Sequence, residues 1–86
     1  MTETHENRLK RVLMRATHRG IKEMDIILGN YARAYLPDLD VGALDELEAL
    51  MEENDQDLYQ WVSGQMPAPA RFSALIERIA VHAGAR

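Results

Sequence analysis

Apolar residues recur at intervals of three and four along most of the chain, which is the spacing of one face of an α-helix. The first such stripe consists of Leu9, Val12, Leu13 and Ala16. No segment alternates apolar and polar residues in the manner of a half-buried β-strand. The pattern therefore predicts an all-α protein, in which each helix buries one stripe against the others.

Glycine, proline and aspartate divide this pattern into five segments. The predicted helices cover about residues 6–17, 21–35, 41–53, 56–63 and 70–82. Asp40 and Asp55 are suitable N-caps for the third and fourth helices, because a carboxylate accepts hydrogen bonds from free amides of the first turn. Residues 65–70, with two prolines, are expected to link the last helix, and residues 1–6 to be flexible. We expect residues 1–86 to form a single domain, a compact bundle of five short helices.

The chemistry of the chain does not indicate an enzyme. There is no cysteine, which removes thiol nucleophiles and thiolate metal sites together. The three histidines are not spaced as metal ligands, and the five glycines are too scattered for a phosphate-binding loop. We expect no catalytic residue, no metal site and no tightly bound cofactor.

The sequence is also not expected to contain a targeting segment or a membrane span. No apolar run approaches the roughly 20 residues of a membrane span. Residues 1–7 are polar and contain Glu3 and Glu6, whereas signal peptides need an apolar stretch and transit peptides avoid acids. These features predict a cytoplasmic protein without membrane insertion.

The net charge of −4 is unevenly distributed. Residues 1–23 hold six of the ten Lys and Arg residues, whereas residues 38–57 hold nine acids and neither Lys nor Arg. The basic faces of the first helix are expected to point outward. Either the molecule orients on a charged partner, or it has a solvated surface of uneven charge. The acidic middle disfavours nucleic acid as a partner, because it would repel phosphates.

Two motifs lie at a defined distance from each other. Arg19, Gly20 and Glu23 form an R-G-x-x-E pattern, which is followed by Asp25 and an aliphatic run. An acidic helix comes next, and then a D-x-D-L-x-x-W segment over residues 55–61. In this order and spacing, over residues 8–64, the chain resembles the SdhE family of succinate dehydrogenase assembly factors.

The resemblance implies a five-helix bundle that binds the flavoprotein subunit of succinate dehydrogenase, and sometimes that of fumarate reductase. It implies that the protein promotes covalent attachment of FAD to a histidine of that client, which itself handles the FAD. The alternative is a generic helical interaction module with a different client.

The site residues implied by the resemblance have other physical explanations as well. Arg19 and Glu23 are four residues apart and could form an internal ion pair, although this order is the weaker one. Gly20 could simply end a helix, and Glu23 could stabilise the first turn of the next helix. With the resemblance, Arg19 and Glu23 are expected to be exposed client contacts beside Gly20, which lets a partner approach. Lys22 and Asp25 are expected at the rim.

Overall fold

Five α-helices follow one another in the computed structural model, which describes residues 3–86. They are α1 (His5–Thr17), α2 (Lys22–Tyr35), α3 (Val41–Met51), α4 (Asp55–Ser63) and α5 (Ser73–His82). No strand is present within residues 3–86. The predicted all-α bundle of five short helices is confirmed.

Polar side chains begin three of the helices. Thr4 Oγ1 accepts a hydrogen bond from the Asn7 amide at 3.1 Å, so that residues 5 and 6 already lie in α1. The flexibility predicted for residues 1–6 stays a prediction, and residues 1 and 2 lie outside the described part. Asp40 caps α3 as predicted, since its carboxylate accepts from the Ala43 amide at 2.8 Å.

The predicted cap of α4 was wrong by one residue. Asn54 takes the cap position, and its Oδ1 accepts from the Gln56 amide at 2.8 Å. Asp55 is the first residue inside the helix, which leaves its carboxylate free to bind elsewhere. The helix ends at Gly64, whose φ of 86° is the left-handed conformation that glycine adopts without strain.

Short 3-10 turns adjust two helix boundaries. Leu36–Asp38 extends α2 by one turn around Pro37, and Ala70–Phe72 precedes α5. In the second turn the Phe72 amide donates to the Pro69 carbonyl at 2.9 Å, so α5 begins three residues later than its apolar pattern predicts. Residues 65–69, within the predicted linker, carry no helix.

All five helices contribute apolar side chains to one core. Its fully buried members are Val12, Met24, Leu28, Leu44, Leu47, Leu50, Leu58, Val62 and Ile79. Val12 lies on the apolar stripe predicted for the first helix. Trp61 is half-buried, packs against the core and stacks on Phe72, with 6.4 Å between ring centroids. Among residues 3–86 no polar or charged residue is buried, so a polar functional site must lie at the surface.

Helices α1 and α2 form an antiparallel hairpin with close packing at Gly29. A Cβ at this position would lie 3.1 Å from Thr17 Cγ2, tighter than an ordinary contact. The helical glycine thus allows the close approach of α1. The hairpin places residues 18–21 at its tip, between the end of α1 and the start of α2.

Arginines on α1 pair with acids on α3, and the two helices run in parallel. We refer to this set of ion pairs as the charge ladder. Its main contacts are Arg8–Asp45 at 2.5 Å, Arg11–Glu48 at 2.6 Å and Arg15–Glu52 at 2.8 Å. The expectation that the basic faces of the first helix point outward was wrong for the three arginines, because acids of α3 pair with them, whereas Lys10 is exposed as expected. The pairing also accounts for acids late in α3, where they oppose the helix dipole.

Candidate functional site

Side-chain hydrogen bonds to backbone carbonyls close the end of α1. Thr17 Oγ1 donates to the Leu13 carbonyl at 3.0 Å, and His18 Nδ1 lies 2.9 Å from the Met14 carbonyl oxygen. The Met14 carbonyl is one of the last four of the helix, which have no helical amide partner, whereas the Thr17 bond to Leu13 is a side-chain bond back to the preceding turn. The chain then leaves the helix at Arg19 and Gly20, and α2 begins at Lys22.

The side chain of Arg19 turns inward. Its Nε donates to Asp55 Oδ1 at 2.7 Å, and its Nη2 donates to the Glu53 carbonyl at 3.3 Å. The Arg19 and Asp55 side chains are only 10 % and 13 % exposed. The expectation of an exposed Arg19 was therefore wrong, and the possible internal pair with Glu23 is replaced by one with α4.

Gly20 makes room for the same carboxylate. Its amide donates to Asp55 Oδ2, and a Cβ at Gly20 would lie 2.8 Å from that oxygen. Its φ is outside the left-handed region, so the need for glycine comes from space and not from backbone conformation. Glycine was expected to admit a partner; the group that approaches closely is the chain's own Asp55.

A second carboxylate, from α2, also braces the turn. Asp25 Oδ1 accepts a hydrogen bond from the Arg19 amide, and the residue is partly buried. Asp25 was expected at the rim of a client contact, but its side chain is engaged within the molecule. Carboxylates from α2 and α4 thus hold two consecutive amides, and charge-assisted bonds of this kind are stronger than neutral ones.

Lys22 and Glu23 are the members of the motif that face solvent. Both are exposed at the start of α2, and within residues 3–86 neither side chain has an ion-pair or hydrogen-bond partner. A glutamate in the first turn also suits the helix dipole. The structure therefore brings Arg19, Gly20 and Asp25 together as a support and leaves Lys22 and Glu23 as its accessible charges.

Asp55 was predicted only as a helix cap, and its contact with the motif was not foreseen from the sequence. The spacing of charged residues along the chain does indicate this contact. Arginines occur at positions 8, 11, 15 and 19, and acids occur at positions 45, 48, 52 and 55. The two series have nearly identical intervals, which suits two helical faces that pair side by side. Arg19–Asp55 is the last step of this series.

Perturbed pKa values occur among residues of the charge ladder. Hydrogen bonding to Arg11 lowers the pKa of Glu48, and the Arg8 hydrogen bond acts in the same direction. The Arg11 hydrogen bond also lowers the pKa of Glu3. Within residues 3–86, no three His, Cys, Asp or Glu residues are grouped as metal ligands. The hairpin tip thus offers fixed charges and a braced backbone, which are features of a binding surface.

A family match covers the hairpin tip and helices α2 to α5. Residues 10–83 match the family described as flavinator of succinate dehydrogenase. The chain belongs to this family. The matched segment includes the R-G-x-x-E motif, Asp55 and all but the first part of α1, so the resemblance found in the sequence is confirmed.

Three fungal relatives share the printed name succinate dehydrogenase assembly factor 2, mitochondrial. The one from Mycosarcoma maydis is 32% identical over 72 residues, which cover 84% of this chain and 30% of that protein. The one from Schizosaccharomyces pombe is 33% identical over 84% of this chain and 52% of that protein. The one from Meyerozyma guilliermondii is 36% identical over 81% of this chain and 54% of that protein. The chain spans about a third to a half of the length of these relatives.

The prediction of a cytoplasmic location is contradicted by these names, which point to mitochondria. The prediction was based on the polar character of residues 1–7. Alignments with the relatives leave roughly half or more of each relative unmatched. The composition of one short segment was therefore a poor guide to location. Within residues 3–86, none of the helices has the length and apolar character needed to cross a bilayer.

Proposed function

We propose that this chain is an assembly factor that binds the flavoprotein subunit of succinate dehydrogenase and promotes covalent attachment of FAD to it. Family membership supports the assignment. The structural observation that carries it is the exposure of unpaired Lys22 and Glu23 beside a turn braced by two carboxylates. The flavoprotein of fumarate reductase is a candidate second client.

The proposed mechanism is stabilisation of one client conformation. The client holds FAD and the histidine that becomes attached to it, and the helper binds more tightly to the arrangement in which these groups can react. Such differential binding shifts the client toward the reactive conformer without any group of the helper entering the reaction. On this proposal the chain is not an enzyme and does not bind FAD tightly.

A braced turn suits this role. Association costs free energy when loops or long side chains must be ordered at the interface. Here Asp25 and Asp55 already fix the amides of Arg19 and Gly20 before any partner arrives. Glu23 is then presented from the first turn of α2, so that the orientation of its helix is fixed before binding.

Nucleic acid is a poor alternative partner. The arginines of α1 that could neutralise phosphates are paired with acids of α3 at 2.5–2.8 Å. Binding a phosphate backbone would require these pairs to open, since phosphate contacts supply most of such affinity. The charge ladder therefore favours a protein client.

The proposal is tested by covalent flavin on the client. We would co-express the cognate flavoprotein subunit with the wild-type chain, with Glu23→Ala or alone, and read flavin fluorescence on a denaturing gel. Glu46→Ala is the matched control, because Glu46 is also an exposed helical glutamate without an ion pair among residues 3–86. We expect the wild type and Glu46→Ala to raise flavinylation and Glu23→Ala to lose most of it. Equal flavinylation with and without the chain would contradict the proposal.

A further inference from the structure

Ile26 is an exposed isoleucine on the outward face of α2. It is 52% exposed, whereas the next residue, Ile27, packs against the core. Helix stability does not call for it, since a β-branched residue is a weaker helix former than alanine. Single exposed apolar residues are common, so exposure alone carries no conclusion. Its neighbours are what distinguish it.

Ile26 is adjacent to both free charges of the motif. It lies four residues after Lys22 and three after Glu23, spacings that bring side chains together on one side of a helix. The same spacing continues to Asn30 and Arg33, which are also exposed. These residues, Lys22, Glu23, Ile26, Asn30 and Arg33, form what we term the α2 stripe. It is about 17 Å long at the rise of an α-helix.

The α2 stripe lies on the exposed side of its helix, and all five of its residues are exposed. The buried residues of the same helix are Met24, Leu28, Gly29, Tyr31 and Ala32. Met24, Leu28 and Tyr31 lie on the opposite side of the helix from Ile26, given 3.6 residues per turn. Gly29 packs against α1, so the Arg33 end of the stripe lies next to α1 while the side chains of the stripe remain accessible.

Free positive charge lies near both ends of the stripe. Within residues 3–86, Lys22 and Arg33 have no carboxylate within ion-pair distance, in contrast to the four arginines of α1 and the hairpin tip. Arg33 Nη1 lies 3.3 Å from the place that a Cβ on Gly29 would occupy, so this guanidinium extends back along its own helix. An apolar side chain thus sits between two unpaired cations.

We propose that the client-binding surface continues from the R-G-x-x-E motif along the α2 stripe to Arg33. The occupant is a segment of the client flavoprotein that places an apolar side chain on Ile26 and carboxylates near Lys22 and Arg33. Charge complementarity and continuity with Lys22 and Glu23 support this choice. The inference rests on the proposed function, because it takes the same client and extends its footprint beyond the motif.

The test is affinity for the purified client subunit, measured by titration calorimetry with Ile26→Ser and Arg33→Glu. Val81→Ser is the matched control, since Val81 is a 56% exposed aliphatic residue on α5. We expect Ile26→Ser and Arg33→Glu each to weaken binding about tenfold or more, as for a residue that anchors an interface. Val81→Ser should stay within about twofold, and circular dichroism should show all three folded.

The outcomes separate this inference from the proposed function. If Glu23→Ala loses binding while Ile26→Ser and Arg33→Glu bind like the wild type, the α2 stripe is not part of the surface, and the proposed function stands. An equal loss in Val81→Ser would also overturn the inference, because the effect would then follow any exposed aliphatic residue. If the wild type itself does not bind the client, both proposals fail.

Discussion

Arg19 and Asp55 are 36 residues apart in the sequence, and their side chains form an ion pair with 2.7 Å between Nε and Oδ1. The second oxygen of the same carboxylate accepts the amide of Gly20. One side chain of α4 therefore binds two consecutive residues of the R-G-x-x-E motif. The arginine of the motif stabilises the turn through its contacts with Asp55 and the Glu53 carbonyl, while the exposed glutamate remains available to a partner.

Replacing Asp55 by asparagine should weaken both the fold and the site. Asparagine replaces one of the two carboxylate oxygens by an NH2 group, so either Arg19 Nε or the Gly20 amide faces a donor in place of its acceptor. Arg19 is 10% exposed and would lose its charged partner, which should lower the free energy of unfolding by about 2 kcal/mol. Urea unfolding followed by circular dichroism measures this loss, and client affinity should fall with it.

Asp57→Asn provides the control for Asp55→Asn. Both acids lie in the first turn of α4, so both lose the same favourable interaction with the helix dipole. Asp57 is exposed and has no ion pair among residues 3–86. A stability loss as large in Asp57→Asn as in Asp55→Asn would show that the dipole, and not the bridge to the turn, accounts for the effect.

Two glycines beside aspartate carboxylates should respond oppositely to alanine. At Gly20 the new Cβ would lie 2.8 Å from Asp55 Oδ2, so the carboxylate must move and its bonds weaken. At Gly42 in α3 the nearest atom, Asp40 Oδ1, is 3.6 Å away, an ordinary contact. We expect Gly20→Ala to destabilise by about 1–2 kcal/mol and Gly42→Ala to stabilise by about 0.5 kcal/mol. Thermal unfolding of both variants tests this, and stabilisation by Gly20→Ala would contradict the steric explanation.

The charge ladder makes stability depend on pH at the acidic end. Hydrogen bonding to Arg11 lowers the pKa of Glu48 below its ordinary value of 4.5. Below that value the unfolded chain takes up the proton before the folded chain does, so stability falls with pH toward the folded-state pKa. The contribution of Glu48 is fully present at neutral pH, where its carboxylate is ionised in both states.

Glu48→Gln should reduce this dependence. We expect it to lower the free energy of unfolding at pH 7 by about 1 kcal/mol and to flatten the slope below pH 4.5. Some slope should persist, because the pKa of Glu3 is lowered as well. Urea unfolding across this pH range measures the change, with Glu46→Gln as an exposed control on the same helix. An unchanged slope in Glu48→Gln would mean that its ion pairs contribute nothing.

Apolar periodicity was sufficient to predict the helices, because the spacing of apolar residues within one segment is enough to indicate a buried helix face. The ion-pair partners of the charged residues were not predictable from spacing within one segment, because they lie on another helix. Arg15 and Glu52 each look like solvated surface residues until the structure places α1 beside α3. The matched intervals of the two charge series contain part of this information, but one sequence does not say whether two stripes meet.

The location of the client-binding surface stays a prediction, whereas the exposure predicted for Arg19 and Asp25 was wrong. The motif segment lies at an exposed hairpin tip, and Glu23 is exposed as expected. Arg19 and Asp25 turned out to serve the turn itself, because a backbone that leaves a helix must find partners for its amides. Asp55, which accepts the hydrogen bond of the Gly20 amide, belongs to another helix. Spacing within the motif does not predict a contact with a residue so far along the chain.

The origin of that carboxylate has a consequence for biogenesis. Asp55 lies 35 residues downstream of the Gly20 amide that it binds. While the chain emerges from a ribosome or a translocation pore, the hairpin of α1 and α2 can form before α4 exists. The turn would then lack one of its two braces. A nascent or truncated chain therefore has an incompletely braced turn, and on the proposed function only a molecule that has completed its fourth helix is ready to engage a client.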